Sequence, residues 1–65
     1  MRHPTPITWH YTPKFHLLEI YYPDGRIATI QNEDADELAD RLDNMTDPEQ
    51  QQALKNHEHL AVFDG

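Results

Sequence analysis

Cysteine and serine are both absent from this chain, and glycine occurs only twice, at Gly25 and Gly65. Without cysteine there is no disulfide and no thiolate zinc site, which fits a reducing compartment. Neither a cysteine nor a serine nucleophile is on offer, and two glycines cannot build a loop that cradles phosphate. Basic residues are scarce as well: five lysines and arginines stand against twelve acids, a net charge of −7 with a pI near 4.9. Such a field repels nucleic acid and anionic membranes and attracts basic protein surfaces, so direct nucleic-acid binding is not expected. There is no run of 18 apolar residues, and the opening MRHPTPITW lacks the apolar stretch of a signal peptide. The expectation is a soluble, cytoplasmic protein with no membrane partner.

What remains is one small domain. At 65 residues the chain is near the lower limit at which a buried core sustains a fold, so it is expected as a monomer or as a homodimer that helps to stabilise it. The apolar residues are periodic, which argues for a folded chain. Residues 1–5 read as a loose start. Ile7, Trp9 and Tyr11 then alternate on one side of a strand, and Thr12-Pro13-Lys14 breaks it.

Residues 15–22, FHLLEIYY, form the longest strand-like run, followed by Tyr22-Pro23-Asp24-Gly25. Proline suits the second position of a type I turn, aspartate the third, and glycine the left-handed residue that closes a three-residue hairpin loop. That loop pairs Tyr22 with Arg26, Ile20 with Ala28 and Leu18 with Ile30, gathering the apolar residues on one face. A two-residue loop would scatter them. For the first hairpin, pairing Trp9 with Leu18 gives the better apolar face.

The stretch at residues 32–49, NEDADELADRLDNMTDPE, holds eight of the twelve acids and one cation, Arg41. Ala35, Leu38, Ala39, Leu42 and Met45 recur at helical spacing, which predicts an amphipathic helix with an anionic back, capped by Asn32. Thr46 with Glu49 three residues on reads as a capping box for a second helix over residues 48–57, with Ala53, Leu54 and His57 inward. Residues 60–63 are apolar and β-friendly, and return as an edge strand or cover the sheet. The fold class is α+β: a small antiparallel β-hairpin or three-stranded meander against two short helices.

On a helical wheel Glu33, Asp36, Glu37, Asp40 and Asp43 gather opposite Leu38 and Leu42, with Asp47 beyond. Like charges at this spacing cost roughly 0.2–0.5 kcal/mol per pair in an isolated helix. Charges three or four residues apart recur every ~5 Å along a helix, comparable in scale to the phosphate charges along nucleic acid. Such a face fits a lysine- and arginine-lined groove; equally, it is a solvated face that keeps a small protein in solution. Asp34-Ala35-Asp36 opens like a calcium loop, but no glycine follows at the sixth position. Five histidines, among them His57-Glu58-His59, raise a metal-binding alternative, though no spacing here is a zinc signature. Neither cofactor nor catalytic residue is expected. Leu17, Tyr21 and Ile27 fall on the outer sheet face, which would serve a small structural or assembly subunit.

Taken whole, the chain resembles the small acidic inhibitors encoded by phages and mobile elements: anti-CRISPR proteins, DNA-mimic proteins and inhibitors of host DNA-binding enzymes. The resemblance rests on Glu33-Asp34-Ala35-Asp36-Glu37-Leu38-Ala39-Asp40, absent cysteine, small size and a hairpin with helices; it is one of character and matches no motif residue by residue. It implies a non-enzymatic inhibitor acting in the host cytoplasm. The partner implied is a basic nucleic-acid-binding protein or complex, such as the surface by which a CRISPR effector engages target DNA. The partner-binding residues expected are Glu33, Asp36, Glu37, Asp40, Asp43 and Asp47, with Leu17 and Tyr21 as apolar anchors.

Overall fold

The computed structural model describes residues 5–63 and shows an α+β domain. Four antiparallel strands in the order β1-β2-β3-β4 form one sheet: β1 (Thr8–Thr12), β2 (Leu17–Tyr21), β3 (Arg26–Gln31) and β4 (Val62–Phe63). Two helices, α1 (Asn32–Asp43) and α2 (Asp47–Lys55), lie between β3 and β4 in the chain. Residues 1–4 of the expected loose start lie outside the described residues, and Thr5 is exposed coil.

The β2–β3 hairpin has the expected register, Leu18 opposite Ile30 and Ile20 opposite Ala28. Its loop closes as the turn chemistry demands: the Gly25 N–H donates to the Tyr22 carbonyl at 3.0 Å and the Tyr22 N–H to the Arg26 carbonyl at 2.9 Å. Gly25 sits at φ +97°, where a side chain would be strained. The Asp24 carboxylate accepts from the Arg26 backbone at 3.1 Å, an Asx-type brace across the turn.

The first hairpin corrects the expected register. Trp9 lies opposite Ile20, not Leu18, and Tyr11 takes the place opposite Leu18. The connection is the cause. Pro13–Phe15 forms a 3-10 turn, and His16 closes it in the left-handed region at φ 49°, its N–H donating to the Pro13 carbonyl at 3.2 Å. Phe15 and His16 therefore belong to the loop and not to β2, and β1 slides by two residues. A two-residue slide preserves the alternation, so Trp9 and Tyr11 still face inward.

Helix α1 forms on its apolar stripe as expected, with Ala35, Leu38, Ala39 and Leu42 buried. The cap differs. Gln31 holds the N-cap position without a side-chain bond, and Asn32 instead adopts a left-handed φ of 63°. Asparagine tolerates that region, which turns the chain sharply from β3 into the helix. Helix α2 starts at the expected capping box, where the Thr46 N–H donates to the Glu49 carboxylate at 3.0 Å. It ends at Lys55, short of the expected His57.

Leu18, Ile20, Leu42 and Leu54 are fully buried and form the centre of the core between sheet and helices. Burying side chains of this size contributes roughly 1.5–3 kcal/mol each, the main source of stability in so small a domain. Polar bonds then fix the helices. The Tyr22 hydroxyl donates to the Leu54 carbonyl at 2.5 Å. Gln51 bonds both backbone groups of Ile7, each at 2.9 Å. Gln50 caps the end of α1 through the Leu42 carbonyl at 2.7 Å. Val62 pairs with Ile27 and Phe63 with Arg26, so the C-terminal segment extends the sheet as an edge strand and does not cover its face.

Candidate functional site

The amphipathic period that buries Leu38 and Leu42 fixes where the acids of α1 point. Glu33, Glu37 and Asp40 are exposed and successive ones are three or four residues apart, which makes them one ridge along the outer side of the helix. Asp43, at the end of α1, and Asp47, at the start of α2, are exposed as well. Among the described residues none of these five forms an ion pair. One cation is engaged elsewhere: Arg26 binds Asp24, with Nε 2.6 Å from its carboxylate, and also Glu58. That pairing raises Arg26 and contributes to holding Asp24 below its ordinary range, after the backbone bond from Arg26. Arg41 shares an open cleft of about 250 Å³ with Asp34, Glu37 and His57, yet forms no ion pair among the described residues.

Asp36 departs from the expected ridge. Its carboxylate accepts a hydrogen bond from the Tyr11 hydroxyl and lies 2.9 Å from His16 Nδ1. The Tyr11 bond, followed by His16, lowers the Asp36 pKa, while the same bond raises that of Tyr11. Asp36 is thus a clasp between α1 and the β1–β2 hairpin. The wheel held a hint: Asp36 lies about 60° from buried Ala39, at the margin of the polar face.

Leu17 and Tyr21 lie on the face of the sheet opposite Leu18 and Ile20, and therefore opposite the helices. They lie on a different side of the molecule from the acidic ridge. The histidines are dispersed. His10 faces outward from β1, His16 is held by Asp36, and His57 places Nδ1 2.9 Å from the Ala53 carbonyl. Among the described residues no group of three or more metal-ligating side chains comes together. His3 falls outside the described residues. No helix among them is long and apolar enough to cross a membrane.

Compared with known protein families, curated proteins and solved structures, the chain matches none.

Proposed function

We propose that this protein is a non-enzymatic inhibitor that occupies the nucleic-acid-binding surface of a basic protein by presenting a rigid row of carboxylates in place of phosphates. One observation carries the reading: Glu33, Glu37 and Asp40 share an exposed ridge on a packed helix and form no ion pair among the described residues. Self-repulsion at helical spacing is a cost that an external cation cluster relieves further than the helix dipole at Glu33 and Arg41 four residues after Glu37 do. Asp43 and Asp47 continue the negative surface around the end of α1, whereas Asp36 positions the helix. A nucleic-acid-guided effector of the CRISPR type is one partner whose DNA channel has the required chemistry. Long-range attraction makes such association fast at low salt and weaker as salt screens it.

The test is capture of basic proteins from host lysate on the immobilised protein, at low and high salt and with duplex DNA as competitor. The triple variant Glu33→Gln, Glu37→Gln, Asp40→Asn runs alongside. The reading holds when a nucleic-acid-binding protein is retained, is displaced by DNA and by salt, and is not retained by the variant. Retention of the same protein by the variant overturns it, as does the absence of any DNA-displaceable protein.

A further inference from the structure

The open cleft that contains Arg41 runs beside the acidic ridge, and its two walls differ in kind. One wall is a stripe of α1, in which Glu37, Leu38 and Arg41 follow Asp34 by three, four and seven residues, the intervals that bring helix positions to one side. The other is Ile30 of β3 with His57 and Leu60 from the segment after α2. Leu38 is buried and Ile30 half-buried, while Leu60 is 47% exposed, so apolar surface is left within reach of a ligand. The volume of about 250 Å³ is below the roughly 300–1,000 Å³ of sites that bury a drug-sized molecule. A single side chain suits it better.

Charge in the cleft is unspent. Asp34, Glu37 and Arg41 form no ion pair among the described residues, although Glu37 and Arg41 stand four apart on the helix. His57 adds an acceptor. Its Nδ1 lies 2.9 Å from the Ala53 carbonyl, which can only accept, so that nitrogen carries the hydrogen and the neutral ring keeps Nε2 as a lone-pair site. Two carboxylates and an imidazole nitrogen call for hydrogen-bond donors. The net charge of −7 favours a cation as their source over an anion at Arg41.

We infer that the cleft takes one arginine side chain of the basic partner, its stem against Ile30, Leu38 and Leu60 and its guanidinium at Asp34 and Glu37; that the partner is a basic protein rests on the inhibitor reading above. Arginine fits because its planar fork offers five donors, its head sheds water more readily than an ammonium, and its stem is apolar. Glu37 belongs to the ridge and to the cleft, so the two surfaces are continuous. The ridge draws the partner in, and the cleft fixes its register. Arg41 repels the same occupant, which gives the inference a signed test.

The test is a titration of the whole chain with N-acetyl-arginine methylamide, followed by backbone amide chemical shifts at constant ionic strength. The lysine and norleucine analogues and inorganic phosphate run as separate probes. Saturable shifts are expected at Asp34, Glu37, Leu38, Arg41, His57 and Leu60, with a Kd of roughly 1–10 mM for one small side chain. The norleucine analogue, which keeps a stem and has no charge, is expected to bind at least about tenfold more weakly. Glu37→Gln should weaken arginine binding about twofold to fivefold, and Arg41→Gln should tighten it by a similar factor. Circular dichroism checks both folds, and the wild-type titration decides alone if either variant unfolds. The inference is overturned if the cleft amides do not move, if Glu33, Asp40, Asp43 and Asp47 shift as much as they do, or if the lysine analogue binds as tightly. Saturable phosphate binding at these amides, or weaker arginine binding by Arg41→Gln, would make the cleft an anion site and overturn it equally. No partner takes part in the titration, so its failure leaves the lysate capture to judge the inhibitor reading, and a failed capture leaves the titration result standing.

Discussion

The hydroxyl of Tyr11 on β1 donates to the carboxylate of Asp36 on α1, 25 positions away in the chain. The same carboxylate holds the His16 ring, so one acid joins the edge strand, the loop after it and the helix. The helix that carries the negative ridge is thereby fixed at its first turns to the far side of the sheet, and its charges have a defined direction.

Asp36 sits below its ordinary 3.8, chiefly because of the Tyr11 hydrogen bond and then His16. A carboxyl whose folded pKa is depressed contributes stability above its unfolded pKa, and that stability is lost as pH falls through the folded value. Asp36→Asn is therefore expected to lower the melting temperature at neutral pH, with the gap to wild type closing as pH falls below 3.8. Tyr11 is held above 10.0 by the same bond, so alkaline absorbance titration of the variant should show one tyrosine ionising earlier. An unchanged tyrosine titration would show that the clasp does not persist in solution.

Gly25→Ala isolates the cost of a left-handed backbone. A Cβ there would meet only a Phe63 ring carbon at 4.0 Å, an ordinary contact, so the φ of +97° is the whole penalty. The expected loss is about 1–2 kcal/mol in urea unfolding. Asparagine at this position should cost less than alanine, since it tolerates positive φ.

Neutralising the ridge should separate function from stability. Glu37→Gln with Asp40→Asn removes repulsion between exposed neighbours and breaks no ion pair among the described residues. The melting temperature is expected to stay level or rise, while partner capture falls. A clear loss of stability would mean that these acids support the fold.

Leu54 and Tyr22 report on the joint between α2 and the sheet. Leu54 is fully buried, so Leu54→Ala is expected to cost roughly 2–5 kcal/mol, enough to unfold much of a domain this small. Tyr22→Phe removes only the bond to the Leu54 carbonyl and is expected to cost about 1 kcal/mol. Chemical denaturation of both variants gives the comparison.

Local chemistry was legible in the sequence. Tyr22-Pro23-Asp24-Gly25 specified its own turn and hence the β2–β3 register, and Thr46 with Glu49 specified the start of α2, because each signal involves residues within one turn. The stripe Ala35, Leu38, Ala39, Leu42 named the buried side of α1 for the same reason. Long-range relations were less so. The β1 register depends on how Pro13–Phe15 and His16 divide loop from strand, and an alternation of two is blind to a slide of two. Asp36 reads like any other acid of its run until Tyr11 is brought across from β1. The outer face of Leu17 and Tyr21 was visible in the pattern; that it lies behind the ridge follows only from which side the helices choose.

The backbone N–H of Asn32 donates to the His16 carbonyl at 2.9 Å, joining the two non-glycine residues of positive φ among those described. The loop that returns β1 to β2 and the corner that launches α1 are thus pinned to each other. Residues inserted into or deleted from that loop would swing the helix as a pointer swings on its pivot. Besides the Asp36 clasp, the aim of the acidic row thus depends on a connection that contains no acid at all.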